Sequence, residues 1–236
     1  MHKLLIILLI LKLEFTFGQD FSYPIINKEG RVISDFIPNS WSLLSSAKGD
    51  LNNDTYEDIA IALQFKDSIT ITNNKQGRSD TVITQPRLLA ILFWDNSTKK
   101  YFLKEQSNTF ILNYDNPNMD DPFDELKIKT GHLIINFRIW YSDGNWTTND
   151  SYKFQFQDDN FALTEYDSYS SYRTSEEYKG CKINFITKKY NITTGTTING
   201  KYKSDIKTNT FDLPVLKTIR TFPKPYTWNF NDKIII

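Results

Sequence analysis

The stretch GDLNNDTYEDIAIAL, residues 49–63, sets oxygen-bearing residues at alternate positions just ahead of an apolar alternation. Counted from Asp50, the side chains of Asp50, Asn52 and Asp54 fall at the first, third and fifth positions. The carbonyl of Tyr56 falls at the seventh and Asp58 at the ninth. A curled backbone can turn alternate side chains toward one point, and Ca2+ takes about six to eight oxygens, with carboxylates neutralising its charge. No soft ligand stands in the stretch, so calcium in a structural role is the expected cofactor. An EF-hand would need a bidentate Glu at the twelfth position between two helices. The twelfth residue is Ile61, inside an alternating apolar run, so this loop feeds a strand. The plainer alternative is a metal-free polar turn, because Asp and Asn also favour turns that open strands.

Other chemistry is sparse. His132 and Cys181 are the only His and Cys beyond the first two residues, and no G-x-S-x-G run accompanies them. A single cysteine excludes an internal disulfide and a cysteine-type zinc site. Acid pairs occur at Asp120 and Asp121, Asp124 and Glu125, Asp158 and Asp159, and Glu176 and Glu177. A glycosidase needs two carboxyls at a defined separation across a sugar, whereas most of these acids stand in turn-like stretches where solvation accounts for them. Aromatic residues offer a different chemistry. Trp140, Tyr141 and Trp146 flank the polar turn SDGN, and such side chains stack on sugar rings or anchor a protein partner. They mark the candidate partner-binding patch.

The elements that must position these residues read as strands. No stretch of twelve or more residues keeps a 3.6-residue period; two-residue alternation between Asn, Asp, Gly and Ser clusters recurs instead. RLLAILFWDN (87–96) is apolar on both faces, as for a central strand, and with KYFLKEQSN forms a hairpin over 87–108. ELKIKTGHLIINFRIWY (125–141) turns at Thr130 and Gly131. SYKFQFQDDNFALTEYD (151–167) turns at Asp158, Asp159 and Asn160, residue types that tolerate the left-handed conformation. KINFITKKYNITTG (182–195) makes another pair. Residues 66–87 read as a projecting strand–turn–strand, and YTWNFNDKIII as a closing strand. The expected fold is all-β, an antiparallel meander arranged as an incomplete propeller-like sheet or a β-sandwich. It forms a single domain over 19–236, with a possible subdivision near 112–125.

The loop resembles the Asp-rich loops of FG-GAP and VCBS-type repeats, in which D-x-[DN]-x-D-G-x-x-D leads into a strand. Asp50, Asn52, Asp54 and Asp58 match that pattern, and Thr55 stands where Gly is usual. The order of WSLLSSAKGDLNNDTYEDIAIAL, RLLAILFWDNSTKKYFL, DPFDELKIKTGHLIINF, SYKFQFQDDNFALTEYD and KINFITKKY, over about 41–195, is similar to a family of exported bacterial proteins of unknown function. That resemblance implies export and a β fold, and no assigned catalytic residues.

The first residues agree with export. MHKLLIILLILKLEFTFGQD has a basic start, an eight-residue apolar run and the small Gly18, as in a secretory signal peptide over 1–18. The run is too short to span a bilayer, so a membrane-spanning protein is not expected. Lys plus Arg and Asp plus Glu both number 28, so no net field points to nucleic acid. The functional expectation is an exported, non-enzymatic binding or interaction module of the cell envelope, periplasmic, cell-surface or secreted, with a protein or glycan partner. The alternative is an envelope hydrolase using acidic residues.

Overall fold

Aromatic and β-branched side chains alternating with polar ones suit a pleated, half-buried surface. The chain follows that preference almost throughout. The computed structural model describes residues 21–75, 78–198, 201–222, 224–231 and 234–236. The expected signal peptide, 1–18, lies outside the described residues. The fold is all-β, built from antiparallel sheets of which none closes into a barrel. Among the described residues, a single 3-10 turn (Ile33–Phe36) is the one helical element. No helix there is long and apolar enough to cross a membrane.

The strands in chain order are β1 (Glu29–Gly30), β2 (Trp41–Gly49), β3 (Asp58–Phe65), β4 (Ile69–Lys75), β5 (Arg78–Thr84), β6 (Arg87–Asp95), β7 (Lys100–Ser107) and β8 (Phe123–Lys129). They continue as β9 (His132–Trp140), β10 (Trp146–Gln157), β11 (Asn160–Tyr172), β12 (Glu177–Asn184), β13 (Lys189–Ile198), β14 (Lys201–Thr210), β15 (Asn229–Asn231) and β16 (Ile234–Ile235). The first sheet has the order β1-β7-β6-β3-β2. The second is an uninterrupted meander in which β8 to β14 pair in sequence. Among the described residues, β4 and β5 pair only with each other, as do β15 and β16. Residues 108–122 link the two large sheets.

Two apolar clusters hold the sheets. Ala60 and Ala62 of β3 and Leu89 and Ile91 of β6 face the meander, meeting Leu133, Ile135, Phe137, Phe154, Leu163 and Ile183. On the other face of the same two strands, Ile59, Ile61, Leu63, Leu88, Ala90 and Leu92 pack beneath Ile26, Phe36 and Trp41. The alternation of large and small side chains in β3 explains its burial on both sides: two alanines let the meander approach, while the isoleucines and leucine fill the opposite face. The C-terminal segment returns to this core, contributing Ile219, Phe222 and Ile236.

Turn chemistry sets the hairpins. Asp158 and Asp159 have φ of 48° and 63°, and Thr130 and Gly131 have 47° and 74°, so both two-residue turns occupy the left-handed region twice in succession. Beyond the core the meander loses its buried face. Every described side chain of β14 is exposed. There Tyr178 of β12 lies over Gly195 of β13, and a Cβ on Gly195 would stand 2.4 Å from the phenol.

Candidate metal centre

The 50–58 loop joins β2 to β3 and abuts the meander. Gly49 sits so close to β8 that a Cβ there would meet Ile128 Cγ2 at 2.6 Å, and Asn53 Oδ1 lies against Gly131 in the β8–β9 turn. Inside the loop the acidic side chains bend back over the backbone. The N–H of Asp54 donates to Asp50 Oδ1 at 3.2 Å and to Asn52 Oδ1 at 3.1 Å. The N–H of Thr55 donates to Asp50 Oδ2 at 2.8 Å, and that of Tyr56 to Asp54 Oδ1 at 2.8 Å. Asn52 Nδ2 donates to Asp54 Oδ2 at 2.9 Å. Asn53 and Thr55 have φ of 63° and 75°. Thr55 therefore occupies the left-handed conformation that makes Gly usual at this position, at a cost of about 1–2 kcal/mol for a β-branched residue.

Asp58 stands beneath this curl as the first residue of β3 and is fully buried. Its Oδ2 accepts the N–H of Leu51 at 2.9 Å and its Oδ1 that of Trp94 at 3.0 Å. Burial pushes its pKa up to about 6; the two backbone donors oppose that shift, and the charges of Asp54 and Asp50 add to it. None of the ion pairs among the described residues involves Asp58.

The structure thus gathers Asp50, Asn52 and Asp54 over the loop and turns Asp58 toward two backbone donors below them. Tyr56 presents its ring to solvent. Among the described residues, no group of three or more His, Cys, Asp or Glu is arranged to hold a metal ion. The donor chemistry nevertheless fits a hard cation: every expected ligand offers oxygen, and each carboxylate oxygen keeps a lone pair beyond its hydrogen bond. A divalent cation among them would also relieve the like-charge crowding that raises Asp58.

The aromatic patch is divided by its register. Trp140 of β9 pairs with Thr147 of β10, so Trp146 points to the opposite face of the sheet. The Arg173 guanidinium lies 5.7 Å from the Trp140 ring. On the other side, Trp146 meets Tyr172 edge to face at 5.0 Å and Lys179 at 4.8 Å. Tyr141, 40% exposed, shares the Trp146 side of the sheet and lines a cavity of about 500 Å3 beside the 108–122 segment. Other potential chemistry is dispersed. Cys181 pairs with Ser168 and Ile192, and His132 with Gln155, on strands separated by two others. Burial, then the charges of Asp167 and Asp150, push the Cys181 thiol up to about 12. On the outer face of the meander, Glu165 binds Lys153 and Asp167 binds Lys182.

One buried polar group gave no signal in the sequence. Asp150, 2% exposed, accepts the hydroxyls of Tyr166 at 2.8 Å and Tyr226 at 2.5 Å. Burial, then the Asp150 charge, raises both phenols. The contact ties the C-terminal segment to β10 and β11. Its partners lie 16 and 76 residues away, beyond the reach of local pattern. Protein-family models, curated proteins and solved structures all yield no match to this chain.

Proposed function

We propose that the chain is an exported, non-enzymatic β protein in which a calcium ion held by the 50–58 loop braces the junction of the two sheets, and which serves as a binding module of the cell envelope. The observation that carries the reading is the loop's conformation: Thr55 accepts a left-handed φ of 75° while Asp50, Asn52 and Asp54 turn inward above the buried Asp58. Asp50, Asn52, Asp54 and Asp58 would hold the ion through side chains and Tyr56 through its carbonyl. The ion supplies charge neutralisation and a fixed turn at the start of β3. Export is supported by the basic and apolar opening of the sequence. A protein or glycan partner is supported by aromatic side chains at the β9–β10 end of the meander. The hydrolase alternative draws less support, because the neighbouring acids Glu165 and Asp167 each face a lysine.

Calorimetric titration of the chelated chain with Ca2+ tests the metal. Saturable binding is expected, with a higher melting temperature in calcium, and both effects are expected to vanish in Asp54→Ala. Heats and melting curves indifferent to calcium would sink the metal assignment.

A further inference from the structure

The cavity beside Tyr141 has a composition that neither a folding core nor a charged-ligand site explains. It lies where four parts of the chain meet: Tyr23 from the N-terminal segment, residues 108–122 between the sheets, Ile139 and Tyr141 at the end of β9, and Lys224 and Tyr226 near the C-terminus. Its volume, about 500 Å3, falls in the range of small-molecule sites. Ile111, Leu112, Met119 and Ile139 make its floor, and three tyrosines stand in its walls.

Two of those tyrosines are fixed by neighbours. The Asn113 side chain donates to the Tyr23 hydroxyl and accepts the N–H of Arg87 at 3.0 Å, while Tyr226 is held by Asp150 at 2.5 Å. Asn108 accepts from Gln106 Nε2 at 2.8 Å, whereas among the described residues no side-chain hydrogen bond or ion pair engages the Asp115 carboxylate, the Lys224 ammonium or the Tyr141 hydroxyl, three exposed groups of the lining. The lining therefore offers aromatic walls, two of them fixed, and beside them one carboxylate acceptor and one ammonium donor.

We infer that this cavity is a sugar-binding site that takes a neutral di- or trisaccharide. An anionic ligand would meet Asp115, and a cationic one Lys224. A wholly apolar ligand would gain no hydrogen bond from Asp115 or Lys224, both of which stay exposed. A neutral polyhydroxylated ring satisfies the set: its hydroxyls donate to Asp115 and accept from Lys224, and its C–H face rests on the tyrosines. The inference rests on the binding-module reading and narrows its partner to a glycan.

The test is calorimetric titration of the calcium-loaded chain with maltotriose, cellotriose and chitotriose, repeated with Tyr141→Ala, Asp115→Asn and, as a control on the opposite face, Tyr169→Ala. Saturable binding of at least one trisaccharide is expected. Tyr141→Ala and Asp115→Asn should each weaken it about tenfold or more, a change of about 1.4 kcal/mol, with unchanged melting temperature and calcium affinity. Tyr169→Ala should bind as the parent does. Binding that survives both cavity variants, or is lost with Tyr169→Ala, would place the sugar elsewhere and overturn the cavity assignment while leaving a glycan-binding module standing. No binding of any of the three would overturn the sugar assignment itself; the calcium titration, read separately, would still decide the metal.

Discussion

A fully buried carboxylate beneath two further aspartates has an energetic signature. With its pKa raised to about 6, Asp58 binds a proton in the folded chain over a pH range where the unfolded chain has released it. The stability this contributes is complete below the ordinary Asp value and is lost as pH rises through about 6. In chelator, the free energy of unfolding should therefore fall between about pH 4 and pH 6, by roughly 1–3 kcal/mol from this group. Calcium favours the charged form and should flatten or reverse that slope. Urea titrations across this range, with Asp58→Asn as reference, check it; a chelated parent whose slope matches that of the variant would remove Asp58 as the cause. The gathering of Asp50, Asn52 and Asp54 in one curled loop is legible in the sequence because alternate spacing is a local property. The division of Trp140 from Trp146 is not, because six residues of separation do not reveal how a turn distributes them between two faces.

At the scale of elements, β2 and β8 approach closely where the two sheets meet. Gly49 leaves room for Ile128 where any side chain would collide, at 2.6 Å from Cγ2. Gly49→Ala should cost about 1–3 kcal/mol through displacement of β8. Urea denaturation measures it, and a loss below about 0.5 kcal/mol would show that the junction gives way easily. The hairpins β6–β7, β8–β9 and β10–β11 follow directly from alternation and turn residues, since a strand pair and its turn occupy one short stretch of sequence. The two-sided burial of β3 is harder to read. Ala60 and Ala62 resemble the weak side of an exposed strand, and only a second sheet close enough to cover them makes small size an advantage.

For the whole molecule, the last residues matter as much as the first sheet. Phe222 packs among Phe110, Tyr152 and Trp228, each about 5.9 Å away between ring centres. Phe222→Ala should destabilise the chain by about 3–5 kcal/mol, as a buried aromatic truncation does. A loss below about 1 kcal/mol in urea denaturation would mean that the C-terminal segment lies on the core without belonging to it. All-β architecture is legible from composition and period, whereas the stacking of one sheet on another depends on contacts between residues far apart in the chain. The meander's outer end then has a difficulty of its own: β14 buries no described side chain, so no core selects its alignment. Tyr178 seated over Gly195 acts as an indexing notch. A slip of β13 by two residues would bring Thr193 or Thr197 beneath the phenol, where a branched side chain has no room. One ring and one missing methyl thus help set the phase of the half-buried β13 and, through its pairing, of the exposed β14 beside it, until Phe211 delivers the chain back to the core.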